Sequence, residues 1–279
     1  MPRAPWRVEH FESLPSTNLY ARDSARAGAP AGLVVVADHQ SAGRGRLGRT
    51  WEAPPGASLL VSVLLRPALP PSSLHLCSTV VALSAADACA SVAGVEVGVK
   101  WPNDLMAGGR KLAGVLAEVV TGPSEGAPAP PGVVVGLGLN IEWPGPPEAE
   151  GTSLRRLTGR AVARDELLDA FLDVLGERTA AIGARPGEGA PDGPAALEAA
   201  GEAVVGELRA RCVTLGRRVR VELADGTIEG MARDIADDGR LVVDTRQGAR
   251  QVDAGDVVHV RPSPATGAPG GDGGPVGGG

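Results

Sequence analysis

The sequence predicts an α+β protein with a strand-and-helix unit over 1–211, a small all-β unit over 212–262 and a tail over 263–279. Three observations carry that reading. In the first unit, apolar runs of strand length alternate with longer segments of helical period. From Val213 the runs shorten and close up, with Asp-Gly turn signals between them. The final eighteen residues, PSPATGAPGGDGGPVGGG, hold twelve Gly or Pro and predict disorder.

Ser16 or Thr17 caps a helix over 15–27, continued by Leu19 and the run from Ala21 to Ala27. LVVVAD (33–38) reads as a strand, HQSAGRGRLGRTWEAPPGA (39–57) as a loop, and SLLVSVLLRP (58–67) as a second strand. Pro70, Pro71, Ser72 and Ser73 open a helix that runs to about Val92, and Gly94 stops it. Strands are expected at 95–101, 111–120 and 132–141, and helices at 164–182 and 194–211. Beyond Val213, strands are expected at 217–223, 227–236, 240–245 and 249–261, turned by Asp225-Gly226 and Asp238-Gly239. About fifty residues of this kind predict a closed or half-closed barrel.

Composition excludes several classes. Gly is abundant (40 residues) but has no period of three, so collagen is ruled out. No stretch is expected to reach the roughly 18–20 apolar residues of a membrane span, and MPRAPWRVEHFESLP lacks the apolar centre of a signal peptide. Cys77, Cys89 and Cys212 show no CxxC, and twelve residues of one helix would part the first two by about 18 Å. That excludes a disulfide between them and fits a reducing cytoplasm. The net charge of −6 argues against a general nucleic-acid binder. The last β unit, with eight Arg against nine acids, gives that function no electrostatic support either.

The rare residues are more informative. The chain has 25 Arg but two Lys, Lys100 and Lys111, and three Asn, Asn18, Asn103 and Asn140. GRGRLG (43–48) matches the dinucleotide fingerprint in letters but not in context, since a loop and then a strand follow it instead of a helix. Arg44, Arg46 and Arg49 instead place three guanidiniums in six residues, suited to gripping carboxylate or phosphate oxygens. VKWPNDLMAGGRKLAG (99–114) holds both lysines, and Asn103-Asp104 offers an acceptor-rich turn for Mg²⁺ or phosphates. A hairpin at Gly108-Gly109 would return the Lys111 ammonium toward that turn. Ser16, Thr17 and Asn18 are short donors and acceptors that cap a helix or recognise a small polar ring. The four histidines lack metal-ligand spacing and no Ser or Cys sits in a nucleophile elbow. The residues fit an anionic reaction run by charge stabilisation.

Taken together, the segments resemble the biotin–protein ligases (biotin–[acetyl-CoA-carboxylase] ligases). S-T-N (16–18), HQSAGRGRLGRTW (39–51), KWPNDL (100–105), RKLAG (110–114) and VGLGLN (135–140) occur in family order, and the similarity covers residues 10–261. The resemblance implies a mixed-sheet catalytic domain of the class II aminoacyl-tRNA synthetase-like type and an SH3-like C-terminal barrel. It implies ATP, biotin and Mg²⁺: biotin attacks the α-phosphate to give biotinyl-5′-AMP, and a lysine of a biotin carboxyl carrier domain then takes the biotinyl group. By matching position, Ser16, Thr17, Asn18, Gln40, Gly43, Arg44, Gly45, Arg46, Lys111 and Gly114 would bind biotin. Arg46, Arg49, Trp51, Asn103, Asp104, Lys111 and Asn140 would bind ATP, with Asp104 toward Mg²⁺. Lys111, Arg44 and Arg46 would be catalytic. The Ser-Thr-Asn motif arrives by residue 16, leaving no room ahead of it for the DNA-binding domain that some members carry. The expectation is a monofunctional cytoplasmic ligase, monomer or homodimer, that binds neither DNA nor membrane. A lipoate–protein ligase is the nearest enzyme alternative, and RGRLGR with KWPND favours biotin. A non-catalytic binding module would predict a lost Lys111 or a basic C-terminal unit, and neither is present.

Overall fold

The computed structural model describes residues 6–121, 131–184, 193–223, 226–253 and 256–259. In chain order the first unit contains β1 (Arg7–Leu14), α1 (Thr17–Arg26), β2 (Leu33–Gln40), β3 (Ser58–Leu65) and α2 (Leu76–Ala93). β4 (Gly98–Lys100), β5 (Asp104–Ala107), β6 (Arg110–Val120) and β7 (Gly132–Asn140) follow, then α3 (Leu154–Thr158), α4 (Arg164–Ala181) and α5 (Pro194–Arg211). The second unit is β8 (Arg218–Leu223), β9 (Gly226–Ile235), β10 (Leu241–Thr245), β11 (Gly248–Val252) and β12 (Asp256–His259). The expected tail, and parts of the Gly/Pro-rich segments at 122–132 and 183–194, lie outside the described residues.

The first sheet runs β1-β2-β3-β7-β6-β5-β4, with β1 parallel to β2 and every other pair antiparallel. It is a mixed sheet, as expected. Its two faces differ by the two-residue period of a strand. On one face Val133, Val135, Leu137 and Leu139 of β7 join Val61, Val63 and Leu65 of β3 in the main core, which includes most of α2 and the Leu167, Phe171, Leu172 and Leu175 stripe of α4. On the other, Leu64, Val120 and Val134 form a smaller core with Ala21 and Ala25 of α1. Beyond that small core the same face opens into a cleft.

The differences from expectation have physical causes. β1 carries no apolar run because it is an edge strand with mostly exposed or half-buried positions. β5 is four residues long, too short for a periodic signal, and α3 is one short turn capped by Ser153. The strand expected at 95–101 shrinks to Gly98–Lys100, and that expected at 249–261 divides into β11 and β12. The segment Pro71–Ala93 corrects the reading of membrane spans, since it is long and apolar enough to cross one by length and composition. It is apolar because it is the central core helix: 72% of its most apolar window is buried inside the protein. All three cysteines are free and buried, and burial pushes the Cys77 and Cys89 thiols up to about 12. Neither supplies a thiolate at neutral pH.

The second sheet is five-stranded and antiparallel, in the order β11-β10-β9-β8-β12. It is tied to the first unit next to the cleft. The Val213 amide donates to Val99 O (2.9 Å), the Trp101 amide to Thr214 Oγ1 (3.0 Å), and the Trp101 indole to Gly239 O (3.1 Å). Trp101 is 3% exposed, so this contact is a packed one.

Three helices are joined by ions as well as by packing. Asp87 of α2 accepts from Arg178 of α4 (2.5 Å) and from Arg211 of α5 (2.5 Å), while Glu207 accepts from Arg178 Nη2 (2.7 Å) and lies 3.0 Å from Arg211. Burial would raise the Asp87 carboxyl, but the bonds from Arg178 and Arg211 outweigh it and hold it below its usual value. A depressed carboxylate adds stability above its unfolded pKa and loses it as pH falls through the folded value. Asp87→Asn should therefore destabilise the protein at neutral pH by about 2 kcal/mol. It should also flatten the acid limb of the stability curve, measured by urea unfolding across pH. An unchanged acid limb would refute the role given to this cluster.

Candidate functional site

The cleft is floored by glycine. Gly114 of β6 stands opposite Gly138 of β7, and Leu116 opposite Gly136. A Cβ at Gly138 would lie 2.5 Å from the Trp51 indole, and one at Gly136 would lie 2.1 Å from Asn18 Oδ1. Those distances are below any real Cβ contact, so the indole and the amide can lie against the sheet only because these residues have no side chain. Gly136 and Gly138 fall outside the expected site set. Their signal was present, since glycine recurs at period two in 132–141 while branched residues fill the alternate positions.

At one end of the cleft, α1 presents its first turn. Ser16 caps the helix, accepting from the Leu19 amide (3.5 Å). The Thr17 amide (2.8 Å) and hydroxyl (3.1 Å) both donate to Gln40 Oε1 at the end of β2. Ser62 Oγ donates to Asn18 Oδ1 (2.6 Å) and lies 2.8 Å from Thr17 Oγ1. The Asn18 amide nitrogen donates to Leu116 O (3.1 Å) and Glu118 Oε2 (3.0 Å). Ser16, Thr17 and Asn18 are all buried, so this is a fixed polar network and not merely a helix cap.

The Arg/Gly segment closes the cleft from above. It is a loop between two strands, as expected, with one 3-10 turn at Arg46–Gly48. Arg44 pairs with Thr50, the Gly45 amide donates to Arg49 O (2.7 Å), and the Trp51 amide donates to Gly43 O (3.0 Å). Gly43 is structural here: a Cβ would fall 2.2 Å from Trp51 O. At the loop tip Leu47 takes φ +54° and is 69% exposed, an apolar side chain held in water on a left-handed backbone. That conformation costs a β-carbon residue about 1–2 kcal/mol.

The cations over the glycine floor each have a polar partner. Lys111 Nζ lies 2.6 Å from Asp104 Oδ1 and 5.7 Å from the centre of the Trp51 ring. Arg46 Nη1 donates to Asn103 Oδ1 (3.0 Å), whose amide nitrogen donates to Val115 O (2.7 Å). Arg44 Nη1 donates to Glu118 Oε1 (3.1 Å). The two ion pairs, Lys111–Asp104 and Arg44–Glu118, are partly exposed, and such pairs are worth about 1 kcal/mol or less. A multiply charged anion entering the cleft can replace the Lys111 and Arg46 contacts at small cost.

Of the expected residues, Ser16, Thr17, Asn18, Gln40, Arg44, Gly45, Arg46, Arg49, Trp51, Asn103, Asp104, Lys111 and Gly114 all line this cleft. Asn140 and Lys100 lie instead in an adjoining hollow with Gly145 and Gly151, and the two spaces share Arg49, Thr50, Trp51, Asp104 and Lys111. Asn140 Nδ2 donates to Thr152 O (3.0 Å), while its buried Oδ1 has no hydrogen-bond partner among the described residues. The buried Trp51 Nε1 also has none. Among the described residues there is no group of three or more His, Cys, Asp or Glu able to hold a metal ion.

Residues 10–140 match the Biotin/lipoate A/B protein ligase family, and residues 214–260 match the Biotin protein ligase C terminal domain. The chain is 38% identical over 253 residues to the biotin–[acetyl-CoA-carboxylase] ligase of Mycobacterium tuberculosis, covering 88% of this chain and 86% of that protein. It is 26% identical to the bifunctional ligase/repressor BirA of Bacillus subtilis, covering 89% of this chain and 72% of that one. Among solved structures, the biotin protein ligase from Aquifex aeolicus in complex with biotin and ATP superposes with a TM-score of 0.71 at 24% identity, over 91% of this chain and 99% of that one. That likeness is one of fold.

Two substitutions test the glycine floor. Gly136→Ala should destabilise the protein by about 1–3 kcal/mol, since neither the strand nor Asn18 can yield freely. Gly138→Ala should displace the indole, read as a shift in the Trp51 part of the emission spectrum, isolated by subtracting the matched Trp51→Phe proteins. A wild-type spectrum would contradict the packing described.

Proposed function

The chain belongs to the biotin protein ligases of the biotin/lipoate A/B protein ligase family, and on that premise we propose that it uses ATP to join biotin to a lysine of a carboxylase carrier domain. One observation carries the reading to this chain: the buried Ser16-Thr17-Asn18 network, with Gln40 beside it, and the cations Arg44, Arg46 and Lys111 meet in one cleft over Gly114 and Gly138. The network suits a small polar ring; the cations suit a carboxylate and a phosphate.

The first step forms a bond between a biotin carboxylate oxygen and the α-phosphorus of ATP, and the bond to the β-phosphate bridging oxygen breaks. Negative charge grows on the equatorial and leaving oxygens. Lys111, exchanging its half-exposed pairing with Asp104 for those oxygens, supplies charge where it develops, and Arg46 supplies a planar fork. In the second step a neutral lysine amine of the carrier attacks the biotinyl carbonyl carbon, AMP leaves with the electron pair, and the amine's proton goes to solvent. Both nucleophiles are substrates, so the reaction needs no thiolate from the protein, and Cys77 and Cys89 are buried, neutral and outside the cleft lining.

Two orphaned groups support an adenine in the adjoining hollow. Asn140 Oδ1 is an unpaired acceptor, suited to an exocyclic amine, and Trp51 offers a flat ring. Mg²⁺, expected at Asp104, would meet one carboxylate already engaged by Lys111. No protein cage for it exists among the described residues, so magnesium belongs to the nucleotide substrate, as MgATP. Domain boundaries near 211 and 262, an SH3-like form for the five-stranded sheet, and a cytoplasmic setting belong to the same proposal.

The test is transfer itself. With MgATP, biotin and a carrier domain, the intact protein should biotinylate the carrier and leave lipoate untouched. No transfer, beside an active control ligase, would end the reading. Lys111→Ala should slow adenylate formation by about 10²–10³-fold while shifting biotin affinity far less. Equal losses in both would assign Lys111 to binding alone.

A further inference from the structure

Glu118 lies outside every functional assignment above, yet it joins both halves of the cleft. It stands on β6 with a side chain 20% exposed. One carboxylate oxygen accepts from Asn18 Nδ2 (3.0 Å); the other accepts from Arg44 Nη1 (3.1 Å) and Arg22 Nη1 (3.4 Å). We propose that Glu118 is a positioning residue that anchors Arg44, and with it the Arg/Gly loop, to the ring-recognition network through Asn18.

Asn18 is 4% exposed, and its oxygen and nitrogen are held by Ser62 and Leu116 O. It also lies against Gly136, where not even a methyl group fits. Rotating it would leave buried polar groups unpaired, at roughly 1–3 kcal/mol each. Asn18 is therefore a rigid donor, and it fixes one oxygen of Glu118 from below. The other oxygen is left to hold a guanidinium.

The Arg44 side chain needs such a hold, because the backbone pairing of its segment with Thr50 fixes the chain and not the guanidinium. Arg44 is exposed, and Gly43, Gly45 and Gly48 flank it in a loop that joins two strands. One N–H of Arg44 to Glu118 leaves four donors for a ligand. The pair is half exposed and adds little to stability, so its consequence is orientation. Charge and shape are both required: Asn18 and Arg44 are both donors, and a glutamine would turn an N–H toward one of them. This inference rests on the ligase reading, because it concerns the closure of that loop over an adenylate.

The experiment compares wild type, Glu118→Gln, Arg44→Gln and the double variant in the full chain. Limited trypsin digestion without ligand reads the loop directly, by mass spectrometry of cleavage after Arg46 and Arg49. Each single variant should accelerate that cleavage about tenfold and the double variant no further, because both remove the Arg44–Glu118 contact that holds the loop. In enzyme assays Glu118→Gln should raise the biotin KM and shorten the lifetime of enzyme-held biotinyl-adenylate, each about tenfold, with kcat within about threefold of wild type. Arg44→Gln, at an exposed loop position, keeps the test open should Glu118→Gln misfold. Wild-type cleavage rates in either variant, or effects that multiply in the double, would overturn the anchor. A wild type that makes no adenylate would overturn the ligase reading, while the trypsin comparison would still decide on Glu118.

Discussion

Gly114 and Gly138 face each other across the β6–β7 pair, and the site depends on neither having a side chain. A sheet face of ordinary residues would be filled to the level of its side chains, leaving nowhere for an indole to lie. Here the face alternates along its strands. Leu64, Val120 and Val134 pack against α1, and past them Gly136, Gly138 and Gly114 open the surface. The opposite face of the same strands is continuous core. One strand, β7, thus serves as wall and floor in alternate residues, which confines the cleft to one place and sets its depth.

That floor determines how the charges are arranged. Arg44, Arg46 and Lys111 are drawn together by separate elements: two by the loop after β2 and one by the β5–β6 hairpin. Each rests on a different partner, Glu118, Asn103 or Asp104. The partners keep like charges apart and oriented while leaving Lys111 and Arg46 able to exchange their contacts for a ligand's oxygens. A site that lowers the barrier to adenylation needs this property, because cations buried in strong pairs would not be released to the transition state. The second sheet bears on the same place from outside, through the bonds to Trp101, two residues before Asn103.

Much of this was legible in the chain. Twenty-five arginines against two lysines made Lys111 stand out, and its ammonium lies in the cleft beside Asp104 and Trp51. Two of the three asparagines line the cleft, and the third lines the hollow beside it. Residues that hold other residues were harder to find. Glu118 is one of 33 acids and looks like an ordinary strand residue until the fold brings Asn18 and Arg44 to it across 100 and 74 positions. Ser62 sits in an apolar strand where a small hydroxyl gives no signal. Edge strand β1 and the four-residue β5 escaped because periodicity requires length and burial, and each lacks one of them.

On this reading, one cleft makes and holds an acid anhydride before any acceptor arrives. A single-turnover experiment with α-labelled ATP, biotin and protein in excess, without carrier, tests it most directly. One pyrophosphate should be released per active site, with the label retained on the protein as biotinyl-5′-AMP, then discharged as AMP when carrier is added. Pyrophosphate that appears only after carrier is present, or label that never stays with the protein, would contradict it.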